Sequence, residues 1–203
     1  MNAAVIATTF GVVFLAELPD KTALASLVLA TKYRARDVFL GASSGFAVQV
    51  VIALAAGKLL SLLPHRVLEA VVAGLFLLGA VLIYRHADQE EEDQREAQEA
   101  AEAAGPVSGN GNGTRRAILT SFTVITVAEF GDLTQIVTAN LAAKYDWLQV
   151  GIGALVALWT VAALAILGGQ ALLRVVSLRL ITRIAALAMA SLAVVSLIAA
   201  IRG

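Results

Sequence analysis

The sequence predicts an all-α membrane protein with six transmembrane helices, arranged as two inverted three-helix repeats. Three observations carry this expectation. The chain has 203 residues, of which 59% are hydrophobic and only 15% charged, against about 25% charged in an ordinary soluble domain. Its apolar residues fall in long runs, and a run of roughly 20 is enough to span a bilayer as a helix. The first half of the chain also recurs in the second at a constant offset.

Six spans can be drawn in order: Ala3 to Thr31, Val38 to Leu60, Val67 to Tyr84, Ala117 to Ala143, Leu148 to Leu173, and Leu180 to Ile201. The first has no basic region before it and contains an acidic motif, so it reads as a retained span rather than a cleaved signal. The stretch between the third and fourth spans opens with the acidic run Asp88 to Glu96 and closes in the Gly- and Asn-rich segment Gly105 to Thr114. That composition cannot bury a core. It predicts a disordered tether after a short helix, and divides the chain into a first repeat (1–86), an acidic linker (87–114) and a second repeat (115–203). An acidic loop could also gather cations near a pore mouth, although a solvated tether is the simpler reading.

The repeat is seen by shifting the first half by 112 residues. Ala16-Glu-Leu-Pro-Asp-Lys-Thr22 then falls on Ala128-Glu-Phe-Gly-Asp-Leu-Thr134, and eight of 18 positions from Ala16 to Tyr33 are identical. Gly41 falls on Gly153 and Gly57 on Gly169. Each half holds three spans, an odd number, so the second half must enter the membrane from the opposite side. Inverted repeats recur in secondary transporters, with the substrate bound between the repeats near mid-membrane. Ten Lys and Arg residues fall on the side opposite the N-terminus and four on its own side. This places both termini outside and the linker in the cytoplasm, in an integral membrane protein of a bacterial plasma membrane.

Of the 15 acidic residues, eight lie in the linker, while Glu17, Asp20, Glu129 and Asp132 lie inside apolar spans. Glu129 is 13 residues from Arg116 and 15 from Lys144, or roughly 20 Å of helix from either. Each such carboxylate costs about 2.5–3.5 kcal/mol to insert, so these groups are expected to be protonated, paired or bound to a cation. Spacing of i and i+3 puts both acids of a motif on one helix face, and two inverted motifs can bring four carboxylates together. Pro19 predicts a kink or break in the first span, and Gly131 permits one in the fourth. Amides at the new helix start could steady the Asp20 carboxylate.

The other donors available are the hydroxyls of Thr22 and Thr134 and the amides of Gln135 and Gln49. The chain has no cysteine, and His65 and His86 sit at span ends. Oxygen donors of this kind suit calcium, magnesium or manganese. Lys21, opposite Leu133 in the repeat, is either a counter-charge to the acids or a snorkelling lysine. With Lys21 charged and four acids ionised, the cluster carries −3, which one divalent ion reduces to −1. This motivates the hypothesis that a carboxylate is protonated in some states, coupling the cation to protons. Gly41, Gly45, Gly151 and Gly153 read as helix contacts, and Tyr33, Tyr84, Tyr145 and Trp147 as interfacial anchors.

At its two motifs the chain resembles the membrane cation exchangers marked by paired Glu-x-Gly-Asp-(Lys/Arg)-(Ser/Thr) sequences. That family includes the Golgi transmembrane protein 165 of eukaryotes and is grouped with the lysine-exporter superfamily. The resemblance implies manganese or calcium transport in exchange for protons, and manganese export from the cytoplasm in bacterial members. Glu17, Asp20, Glu129 and Asp132 match the motif acids, and Thr22 and Thr134 its hydroxyl position. The chain departs from the pattern at Pro19 and Leu133.

The expected protein is therefore a secondary transporter of divalent cations and not an enzyme, with no tightly bound cofactor. Its partners would be divalent metal ions, protons and the lipid bilayer, with a second copy in a homodimer as a further candidate. Zero net charge points to no nucleic acid. The alternatives are an exporter of a cationic amino acid and a metal-dependent intramembrane enzyme. The first would need a mid-depth arginine for the substrate carboxylate. The second would need Arg, Ser or His beside the acids, and the motifs supply neither.

Overall fold

The computed structural model describes the backbone of residues 2–17, 21–86, 99, 113–175 and 178–202, and the side chains of all these except 21–24, 82–86, 169–175, 178–182 and 185. The described residues form eight helices and no strand. These are α1 (Ala3–Glu17), α2 (Lys21–Lys32), α3 (Ala35–Leu60), α4 (His65–His86), α5 (Gly113–Ala128), α6 (Leu133–Lys144), α7 (Trp147–Val175) and α8 (Leu178–Arg202). Helices are what an apolar chain must form where water cannot satisfy the backbone, because every N–H and C=O is then bonded within its own segment.

Among the described residues, Ala35–Leu60 and Trp147–Gly168 are each long and apolar enough to cross a membrane. Helices α5 and α6 pass the same test as a pair and are bent by 73° where they join. The expected first span corresponds to α1 and α2, with 18–20 outside the described residues. The linker reading likewise lies outside them, apart from the single helical residue Glu99 and from Gly113 and Thr114, which the structure places in the first turn of α5 and not in the linker.

Packing crosses between the two halves. Helix α3 lies against α5, α6 and α7, while α7 lies against α1 and α2, and α4 pairs with α8. Val13, Phe46, Val72, Phe76, Ile125, Val137 and Met189 fill the shared core. Two glycines set how closely the halves approach. A Cβ on Gly41 would run into the Ile118 carbonyl oxygen and stand 2.7 Å from the Ser121 Cβ. A Cβ on Gly153 would stand 2.7 Å from the Ile6 carbonyl oxygen and 2.9 Å from the Thr9 Cβ. The second trio, Gly153 with Ile6 and Thr9, is the first trio displaced by the 112-residue offset. A side chain at Gly41 can be accommodated only by pushing α3 off α5. Gly41→Ala is expected to cost about 1–3 kcal/mol, seen as a lower unfolding midpoint in detergent, while Gly74→Ala, with nothing within 4 Å, should leave it unchanged.

One expectation about the aromatic residues is overturned. Tyr33 is not an interfacial anchor: it is 7% exposed and packs with Leu29, Val38, Ala117 and Ile166. The short turn from α2 into α3 folds its ring back onto protein. Tyr145 and Trp147 are exposed, at 44% and 54%, as an anchor requires.

Candidate cation site

The bend between α5 and α6 is built from the second acidic motif. Helix α5 ends at Ala128, and the Glu129 N–H still donates to the Ile125 carbonyl at 2.9 Å. The turn then needs a residue in the left-handed region, and Gly131 supplies it with φ of +78°, a conformation glycine adopts at no steric cost. The Asp132 N–H donates to the Glu129 carbonyl across the turn at 3.1 Å. Asp132 then caps α6: its Oδ2 accepts from the Thr134 N–H at 3.0 Å and from the Thr134 hydroxyl at 3.2 Å. This is a helix N-cap, satisfying an amide that the helix cannot. The first motif has a matching start, since α1 ends at Glu17 and α2 begins at Lys21.

The two acids of the second motif therefore do not share one continuous helix face, as their i, i+3 spacing suggested. A turn separates them, and it is the turn that folds them together. Glu17, Glu129 and Asp132 each offer a carboxylate oxygen, and these oxygens lie within 4.8 Å of one another. Glu17 is 0% and Glu129 2% exposed, while Asp132 is half-buried. Asp20 lies outside the described residues, as do Pro19 and the side chains of Lys21 and Thr22. Two oxygens on opposite sides of one ion stand twice a bond length apart, about 4.6–5.2 Å for calcium. Three carboxylates this close can share one hard cation.

Gln49 and Gln135 stand beside this cluster, bonded to each other. The Gln135 amide Nε2 donates to Gln49 Oε1 at 2.6 Å. Gln49 Nε2 donates to the Thr126 carbonyl at 2.5 Å, and Gln135 Oε1 accepts from the Gly131 N–H at 3.0 Å. Leu133, which stands where Lys21 stands in the first half, turns its side chain toward Gly79 of α4, on the apolar side of α6. One polar feature was not foreseen from the sequence. Lys144 Nζ contacts Glu69 Oε2 at 2.8 Å and Ser196 Oγ at 2.9 Å, tying the end of α6 to α4 and α8.

Comparison with known proteins bears on this geometry. The model of the "divalent cation/proton antiporter GDT1" family matches residues 5–91 and again residues 117–203. The chain belongs to the GDT1 family. The second match repeats the first with both ends shifted by the same 112 residues that relate the motifs. Among GDT1 relatives, a GDT1-like protein of Synechocystis is 32% identical over 162 residues, covering 76% of this chain and 77% of its own. Protein PAM71 of the Arabidopsis thaliana chloroplast is 31% identical over 182 residues, covering 82% of this chain. GDT1-like protein 3 of the same plant is 26% identical over 179 residues. The chain spans about half the length of PAM71 and 60% of GDT1-like protein 3. No solved structure matches it.

Proposed function

We propose that this chain is a secondary transporter that exports manganese, or calcium, from the bacterial cytoplasm in exchange for protons. The observation that carries this reading is the trio of clustered carboxylates, with buried Glu17 from one half of the chain and buried Glu129 and half-buried Asp132 from the other. Acids held this close inside an apolar span are protonated, paired with a basic group or bound to a cation, and three carboxylate oxygens within one ion's reach suit a hard divalent cation. Asp20 completes the set from the first half. Thr22 and Thr134 supply the hydroxyls nearest in sequence, and Lys21 is the fixed positive charge that stands in when the metal leaves.

The carrier consists of two inverted three-helix repeats, with the ion bound between them. The paired glycine contacts, 112 residues apart, support this, as does the double family match. Rocking of one repeat against the other exposes the site to each face in turn. The loop charges support a cytoplasmic linker and external termini.

Purified protein in proteoliposomes tests the reading. Manganese or calcium added outside should enter, and the vesicle interior should become more alkaline as protons leave. Uptake no faster than in protein-free vesicles overturns the function, and uptake with no change in internal pH overturns the exchange.

A further inference from the structure

We propose that Gln49 and Gln135 form a hydrogen-bonded strap that positions the second half of the cation site, rather than acting as independent ion ligands. The inference rests on the transport reading above. The chain of bonds runs from the Thr126 carbonyl through Gln49 and Gln135 to the Gly131 N–H, with lengths of 2.5, 2.6 and 3.0 Å. Thr126 precedes the turn, Gly131 lies within it and Gln135 follows it. The strap therefore crosses the 73° bend from one side to the other and fastens it to α3, the helix alongside. Glu129 lies between Thr126 and Gly131, and Asp132 lies between Gly131 and Gln135.

The arrangement uses both ends of each amide. Gln49 donates through its nitrogen and accepts through its oxygen, and so does Gln135. Gly131 makes the strap necessary, because a glycine in an open turn resists bending less than any other residue. The sequence offers no counterpart of the strap at the first motif. The 112-residue offset places Val161 where a counterpart of Gln49 would be and Ala23 where a counterpart of Gln135 would be. Neither has a side chain that hydrogen-bonds. The second motif is thus the preorganised wall of the site.

The test uses Gln49→Leu, Gln135→Leu and the double variant, each in the full chain. In proteoliposomes, each single change should raise the KM for manganese about tenfold, as loss of a group that orients ligands does, with maximal velocity kept within about twofold. The double variant should be no more than about twofold worse than the poorer single, because both changes break one strap. Hydrogen exchange over residues 127–133 should accelerate in both single variants. Losses that multiply in the double variant would make the glutamines separate ligands and overturn the proposal. Unchanged exchange over 127–133 in a folded Gln135→Leu protein would overturn it too. If the unaltered protein moves no divalent ion, the transport reading fails, and the exchange result alone decides the strap.

Discussion

Asp132→Asn is expected to abolish divalent cation flux, by at least about 100-fold, while leaving the fold in place. The substitution separates two duties that one side chain performs. Asparagine caps helices as well as aspartate does, so its oxygen can still accept from the Thr134 N–H now bonded to Asp132 Oδ2 at 3.0 Å. What it removes is the negative charge, from a group within 4.8 Å of two other carboxylates. Glu17→Gln and Glu129→Gln should be equally severe, because each is buried and each supplies an oxygen to the same cluster. The combined Glu17→Gln, Asp132→Asn protein should then be little worse than either alone, since one ion is lost in every case. Thr134→Val keeps all charges and should lose far less. Flux of manganese or calcium in proteoliposomes at matched protein content, beside helix content by circular dichroism, makes the comparison. Flux within about twofold of the unaltered protein in a folded Asp132→Asn variant would remove these carboxylates from the site.

Lys144→Met should cause the largest loss of stability. Lys144 bonds to Glu69 and Ser196 at once, and the pair is mostly hidden, with side-chain exposures of 14% and 7%. Removing one partner from a buried pair leaves an uncompensated charge and costs about 3–5 kcal/mol. Lys144 also occupies the last turn of α6, where a positive charge is favoured by the helix dipole. Replacing both partners, as Glu69→Leu with Lys144→Met, should restore most of the loss, because no buried charge is then left alone. Unfolding midpoints in detergent measure both variants. A Lys144→Met protein as stable as the unaltered one would show that the pair contributes nothing to holding α4, α6 and α8 together.

Much of the site was legible because the repeat exposed it. Matching Glu17 to Glu129 picked out two acids that the fold brings together, and Gly131 opposite Pro19 marked the break in the fourth span. The turn at 129–132 follows from those letters, since glycine takes the positive φ that ends α5. The cross-half contacts of Gly41 and Gly153 were legible in the same way, as small residues at matched positions.

What was not legible joins residues distant in sequence and unmatched in the repeat. Gln49 and Gln135 were recognisable as oxygen donors, but nothing in the letters pairs residues 86 apart with each other rather than with an ion. Glu69 and Lys144 are 75 apart, and a lysine near a span end reads as a loop charge whether it faces headgroups or an acid on a neighbouring helix. Tyr33 shows the same ambiguity for an aromatic ring. Its letter and position suit an interface, and only the direction of the turn after α2 buries it.

The capped start of α6 has a consequence for how an ion could leave. A helix N-terminus carries the equivalent of roughly half a positive charge, and here that end of α6 begins at one of the clustered carboxylates. The field felt by a bound cation is accordingly weaker than a count of ionised oxygens would suggest. A trap would maximise that attraction, whereas a carrier must release what it binds on every cycle. On the proposed reading, the bend that brings Asp132 to the cluster also blunts the cluster's grip on an ion, so that capture and release would depend on the same turn of backbone.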